Sequence, residues 1–224
     1  MIEFFKHILL IVRKDLLYEY RSKELLGSVL IFTLLEVLIF NFALDPTRDL
    51  IPLIVPAILW ISLAFGGIVA LTRSINIEKE SGALTGISIS PIGKDAFFFG
   101  KVLSTTFFIL IVEFIISLVL IIFYNVNINV FLLLGLSIPA IFGFSLVGTL
   151  FAVISVNSRA QEVLLPILFL PMVVPVILSA VEITFNVILD KPLIETYRWM
   201  GLLFVFDAIY VVIGSFCFNL ILNE

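Results

Sequence analysis

Charged residues are scarce in this chain of 224 residues. Only 13% of them are Asp, Glu, Lys or Arg, whereas 62% are hydrophobic, and the mean hydropathy is +1.25. A soluble domain carries about 25% charged residues, which it needs to cover its surface. The composition therefore excludes an ordinary soluble domain and predicts an integral membrane protein.

Cysteine and histidine are almost absent, with one of each, Cys217 and His7. A single cysteine excludes an intrachain disulfide, a CxxC redox pair and a cysteine-based metal site, and a single His cannot supply two ligands to haem. The sequence also lacks a GxxxxGK[ST] nucleotide-binding loop and the HExxH and GxSxG motifs. We expect no catalytic residue, no metal site, no cofactor bound by this chain alone and no nucleic-acid partner.

Long apolar runs are what the chain has in abundance. Six of them are close to the about 20 residues that a helix needs to cross a bilayer, near residues 25–44, 51–71, 102–123, 130–154, 163–181 and 200–222. Residues 1–24 instead place apolar side chains at spacings of three and four among basic ones. We predict an all-α membrane protein with an interfacial amphipathic helix, residues 1–24, and a six-span domain, residues 25–224. A soluble helical arm is the alternative for residues 1–24.

The distribution of Lys and Arg predicts the orientation. Ten lie in segments that six spans place on one side, namely five in residues 1–24, four in residues 72–101, and Arg159. Three lie on the other side: Arg48, Lys191 and Arg198. Because basic residues concentrate in cytoplasmic links, we expect both termini and residues 72–101 in the cytoplasm.

The polar interval 72–101 separates the second and third apolar runs and is the long interior link on that side. It holds four basic residues and three acids. Glu78 and Glu80, followed by Gly82, indicate a short acidic helix that ends at the glycine. We interpret the interval as a coupling loop whose carboxylates pair with a separate ATPase. A solvated charged loop without a partner is the alternative.

Three acids, Glu36, Glu113 and Asp207, lie inside apolar runs. Charged groups are costly in a bilayer, so such residues usually face a bundle interior or a wet cavity and mark a functional pathway. The alternative is that each is protonated and bonded to a neighbouring polar side chain. Both interpretations stay open at this point.

Small residues and prolines recur in three spans. The pairs Gly66 and Ala70, and Gly148 and Ala152, belong to rows of small residues that let helices pack closely, or else line a pathway. Three prolines in the fifth span, Pro166, Pro171 and Pro175, favour a kink.

The layout resembles the permease subunits of ABC type-2 exporters. In the polar interval, Glu80-Ser81-Gly82 is followed by Ser90-Pro91 and then by Gly100-Lys101, an order similar to the type-2 pattern. The resemblance implies that Glu78, Glu80, Gly82, Ser90, Pro91 and Lys101 belong to a surface that docks on a separate ATPase.

A resemblance to the CcmB family, the haem-exporter permeases of cytochrome c maturation, covers nearly the whole chain. It rests on Phe42-Ala43-Leu44, Pro56 to Trp60, Gly143-Phe144, Val147 to Leu150, Arg159, Glu162 to Pro166, Leu170-Pro171, Pro175 and Phe206-Asp207. Asn41 stands where a proline is common in the family.

This resemblance implies a permease in the bacterial cytoplasmic membrane with haem as a possible cargo. It also implies three kinds of protein partner: a cytoplasmic ATPase that binds ATP, a second copy of the chain, and other haem-handling membrane subunits. A type-2 permease for a lipid or drug is the alternative. A proton-coupled carrier using Glu36 and Glu113 is less favoured, because the two halves of the chain show no internal repeat.

Overall fold

The computed structural model describes residues 2–44, 50–83, 86, 93–156, 158 and 160–221. Seven long helices account for most of these residues: α1 (Ile2–Ser22), α2 (Glu24–Leu44), α3 (Ile51–Glu80), α4 (Lys94–Tyr124), α5 (Val130–Ser155), α6 (Gln161–Ile188) and α7 (Tyr197–Ile221). A short 3₁₀ helix, Leu193–Glu195, precedes α7. Within the described ranges there is no β-strand.

Six of the helices, α2 to α7, are long and apolar enough to cross a membrane. The prediction of an all-α chain with six long apolar helices is therefore confirmed. The helices α3 and α5 are the most buried, and α2 and α7 the least. The core of the bundle accordingly lies along α3 and α5, with the other helices around them.

The predicted coupling loop is shorter than residues 72–101. Helix α3 continues to Glu80 and α4 already begins at Lys94, so both ends of the interval are helical. The reason is burial, since Ile75 on α3 and Phe98 on α4 are almost completely enclosed by other helices. The helical backbone there is stabilised by packing, which the polar composition did not indicate.

Three residues with positive φ end helices at the tight links. Lys23 (φ 53°) separates α1 from α2, Asn125 (φ 49°) follows α4, and Asp190 (φ 51°) follows α6. Asn and Asp tolerate this left-handed region better than most residues, which suits them to stop a helix. After the first link, the Glu19 carboxylate accepts a hydrogen bond (2.7 Å) from the backbone N–H of Leu26 in the first turn of α2.

Helices α3 and α5 run in parallel with a constant register. A side chain at Gly67 would collide with Phe144, and one at Gly148 would collide with Leu71. The Lys79 ammonium continues the same register with a hydrogen bond to the backbone carbonyl of Val156. Glycines therefore let the two central helices approach closely.

Helix α6 runs unbroken through Pro166, Pro171 and Pro175. Each proline lacks an N–H and cannot bond the carbonyl one turn earlier. The hydroxyl of Ser179 donates a further hydrogen bond (2.8 Å) to the carbonyl of Pro175, one turn earlier. The prolines do not end this helix.

Candidate functional site

One end of the bundle, which we call the charged end, gathers the first turns of α2 and α4 and the last turns of α3, α5 and α7. Three contacts mark it: Arg73 with Glu24 (2.5 Å), Lys79 with the Val156 carbonyl (2.5 Å) and Ser215 with Asp95 (2.6 Å). The segments that the Lys and Arg count assigns to one side therefore meet at one end of the fold.

An ion cluster of four residues joins three helices at this end. Lys101 on α4 lies 2.6 Å from the Glu78 carboxylate of α3 and 3.0 Å from Asp15 of α1. Lys14 of α1 contacts the same Glu78 oxygen and lies 3.2 Å from Asp15. Lys101 and Glu78 are only 3% and 4% exposed, whereas the Lys14 side chain is 51% exposed. Two ammonium and two carboxylate groups thus balance one another.

The backbone brings the two lysines together. Helix α1 lies so close to α4 that a Cβ at Gly100 would be 2.8 Å from side-chain atoms of Ile11. Because Gly100 has no side chain, α1 can rest on α4, and the next turn of α1 carries Lys14 and Asp15 over Lys101.

The energetic cost of burying a charge explains why the ion cluster contains carboxylates as well as lysines. An unpaired buried ammonium costs several kcal/mol of desolvation, so Lys101 requires carboxylate partners. At the exposed edge, burial alone would lower the pKa of the Lys14 ammonium, but the Asp15 and Glu78 carboxylates outweigh it and hold that pKa above its ordinary value of 10.5. Lys14 and Asp15 were not predicted as site residues. The feature that could have indicated a buried ion pair is Lys101, a charged residue close in sequence to the buried residues Phe97 and Phe98.

The structure divides the predicted coupling residues. Glu80 is the last residue of α3 and is exposed, and Gly82 adopts φ 71° in the turn that follows. Glu78 points into the ion cluster, where its carboxylate contacts Lys14 and Lys101. Lys101 is buried in the same cluster, and Ser90 and Pro91 lie outside the described residues.

A cavity of about 260 Å³ lies beside the ion cluster, between α1, α3, α4 and the start of α2. Its walls change character along the bundle axis. All four residues of the ion cluster line it near the charged end, whereas Ala70 and Phe108, further from that end along α3 and α4, line the deeper part. The cavity is therefore amphipathic, with charged groups at one end and apolar walls at the other.

The three intramembrane acids occupy separate places. Glu113 is fully buried, and one carboxylate oxygen accepts a hydrogen bond (2.7 Å) from the hydroxyl of Ser137 on α5. Asp207 of α7 is 7% exposed and lies against Gly143 of α5, where a Cβ would collide with its carboxylate. Glu36 is half-buried on α2. Nothing in the described contacts joins them into one pathway.

The predicted small residues all lie at helix contacts. Gly66, Ala70, Gly148 and Ala152 are buried. A Cβ at Gly66 would collide with Thr33 of α2, just as one at Gly148 would with Leu71. Because the two glycines lack a side chain, α2 and α5 can pack closely against α3. Ala70 additionally lines the cavity.

In the described part of the chain, no group of three or more His, Cys, Asp or Glu side chains is arranged to hold a metal ion. The ion cluster contains two carboxylates, but each already faces a lysine ammonium. Its chemistry is therefore that of paired charges.

Comparison with known families identifies the chain. Residues 6–223 match the family described as CcmB protein, a range that includes α2 to α7 and most of α1. The chain belongs to the CcmB family. Heme exporter protein B of Rhodobacter capsulatus is 28% identical over 179 residues, which is 77% of this chain and 80% of that protein. The resemblance that the sequence motifs indicated is thus confirmed, and the ion cluster lies within the CcmB region.

Proposed function

We propose that this chain is the membrane permease subunit of an ABC transporter that serves haem export in cytochrome c maturation. A single observation carries the proposal: the CcmB family matches the chain over residues 6–223. The relative from Rhodobacter capsulatus, named heme exporter protein B, supports haem as the cargo. ATP binding and hydrolysis take place on a separate subunit, because this sequence contains no nucleotide-binding loop.

The charged end faces the cytoplasm in this proposal. Ten of the thirteen Lys and Arg belong to the segments assigned to that side, and basic residues concentrate in cytoplasmic links. Helix α1 lies in the membrane interface there, with its exposed Phe5, Leu9 and Leu10 toward lipid. The membrane is the bacterial cytoplasmic membrane.

The ATPase docks on the turn that follows α3. Glu80 is exposed at the end of α3, and the Glu78–Lys101 pair anchors that end of the helix to α4. A movement of the ATPase at Glu80 therefore moves α3 as a rigid helix. A second copy of the chain completes the translocation unit, and other haem-handling membrane subunits supply the periplasmic step.

Charge reversal at Glu80 tests the docking surface. The Glu80→Lys chain should insert and accumulate normally, whereas recovery of the ATPase with the tagged chain and holo-cytochrome c should both fall. Glu195→Lys is the matched control, since it reverses an exposed acid at the opposite end of the bundle. Glu78→Lys would not isolate docking, because it would also break the ion cluster.

The outcomes separate the parts of the proposal. Normal recovery of the ATPase with reduced holo-cytochrome c would mean that the ATPase still docks but that its conformational change no longer reaches the permease. Normal values of both would refute docking at Glu80. If deletion of the whole chain left cytochrome c maturation intact, the cargo would not be haem.

A further inference from the structure

We infer that the cavity beside the ion cluster binds the headgroup of a phospholipid that carries a primary amine, with the start of its acyl chain toward Phe108. Three properties of the cavity point to this class of ligand: its polarity gradient, its position, and the identity of its charged groups.

The polarity gradient matches an amphiphile. On α4 the lining changes from Lys101 through Ser104 and Thr105 to Phe108 as the helix leaves the charged end. On α3 it changes from Glu78, with the apolar Ile77 beside it, through Ser74 to Ala70. A water-soluble ligand gains nothing from the apolar half, and a hydrocarbon gains nothing from the charged half. A phospholipid presents both in the same order.

The position suits a lipid of the adjacent leaflet. The cavity is lined by α1 and by the ends of α3 and α4 that meet it, and in the proposed orientation these lie at the level at which headgroups meet the apolar core of a bilayer. Its volume of about 260 Å³ is slightly below that of typical ligand pockets, which hold roughly 300–1,000 Å³. A headgroup fits this space better than a large ring system does.

The charges select the headgroup. Two lysines, Lys14 and Lys101, and three acids, Asp15, Glu19 and Glu78, line the cavity, which leaves one excess negative charge. An anionic headgroup is therefore disfavoured. Asp15 and Glu19 are four residues apart on α1, on one helix face, where a primary ammonium can donate hydrogen bonds to either carboxylate.

The phosphate of the same lipid has a partner in Lys14. Its side chain is 51% exposed, so it can contact a phosphate without disturbing the buried pair of Lys101 and Glu78. A zwitterionic lipid with an ammonium group thus meets both signs of charge. A choline headgroup carries the same charges but has no N–H to donate, so it should bind more weakly.

Purified, delipidated full-length chain in detergent tests the inference. Short-chain phosphatidylethanolamine, phosphatidylcholine and phosphatidylglycerol with identical acyl chains are titrated while thermal unfolding is followed. Phosphatidylethanolamine should raise the unfolding midpoint by about 5 °C at saturation. The other two lipids should bind about tenfold more weakly, which corresponds to the loss of one charge-assisted hydrogen bond. Equal effects of the three lipids, or a preference for phosphatidylglycerol, would overturn the inference.

A pair of variants separates the cavity from the rest of the surface. Thr105→Leu adds bulk inside the cavity, whereas Thr106→Leu adds the same bulk at a buried neighbour that does not line it. The first should abolish the preference for phosphatidylethanolamine and the second should keep it. Should Thr105→Leu fail to fold, Lys14→Gln at the half-exposed edge should still weaken binding. Retained selectivity in Thr105→Leu, or undiminished binding of phosphatidylethanolamine by Lys14→Gln, would refute the site. Because lipid binding is measured without transport, the result does not depend on haem being the cargo.

Discussion

The Lys101 ammonium lies 2.6 Å from the Glu78 carboxylate, although the two residues stand at opposite ends of a polar interval and were expected on its exposed surface. The pair ties α3 to α4 where both leave the apolar core. With Asp15 and Lys14, it also anchors α1. The four residues therefore join three helices close to the end of α3.

Removing one partner of this pair should be more harmful than removing both. Lys101→Met leaves the Glu78 and Asp15 carboxylates to share the single ammonium of Lys14, and an uncompensated buried charge costs roughly 3–5 kcal/mol of unfolding free energy in comparable sites. The double variant Glu78→Leu/Lys101→Met leaves Lys14 and Asp15 to pair with each other, so it should be more stable than either single variant. Denaturant unfolding in detergent measures the difference.

The exposed pair of Arg73 and Glu24 is the control for that experiment, since their side chains are 40% and 57% exposed. Arg73→Ala should change the unfolding free energy by less than about 1 kcal/mol, because solvent screens such pairs. A single Lys101→Met variant as stable as Arg73→Ala would contradict the role assigned to the ion cluster.

Cysteine labelling tests the orientation. In a Cys217→Ser background, cysteine at Ser81 should resist an impermeant thiol reagent in whole cells, whereas cysteine at Asn127 or Asp190 should react. All three positions are exposed, so the difference reports the side of the membrane and not burial. Labelling of Ser81→Cys from outside would invert the assignment.

Glu113 should tolerate an amide but not a hydrocarbon. Glu113→Gln keeps the size and the hydrogen bond from Ser137, so the protein should accumulate normally. Glu113→Leu leaves the Ser137 hydroxyl only the Leu134 carbonyl to bond and places a leucine of different shape between α4 and α5, which should reduce stability and cytochrome c maturation. Ser137→Ala alone should cost only about 0.6 kcal/mol and at most about 1.7, the range for hydrogen bonds between membrane helices. Unchanged stability and maturation with Glu113→Leu would leave that acid without a role.

Gly66→Ala should be destabilising by about 1–3 kcal/mol. The added methyl group would meet Thr33 and Val29, both β-branched and therefore stiff on a helix. Gly135→Ala is the matched control, since no described atom lies within 4 Å of a Cβ there. That change should be neutral or slightly stabilising, because alanine favours the helix. Thermal unfolding of the two variants side by side gives the comparison, and equal midpoints would argue against close packing of α2 on α3.

The sequence by itself determined the six long apolar helices, the uneven distribution of Lys and Arg among the segments that flank them, and the CcmB resemblance. These properties depend on composition along the chain: a run of about 20 apolar residues is enough for a span, and Lys and Arg can be counted without coordinates. The absence of a nucleotide-binding loop is likewise a property of the sequence alone.

Only the tertiary structure decided which polar residues face inward. Glu78 and Glu80 differ by two positions, yet one is buried against Lys101 and the other is exposed, because a helix turns about 200° between them and α3 continues that far. The pairing of Glu78 with Lys14, and of Glu113 with Ser137, joins residues 64 and 24 positions apart. Such contacts depend on helix register and on close approaches at Gly66, Gly100 and Gly148, which no local pattern specifies.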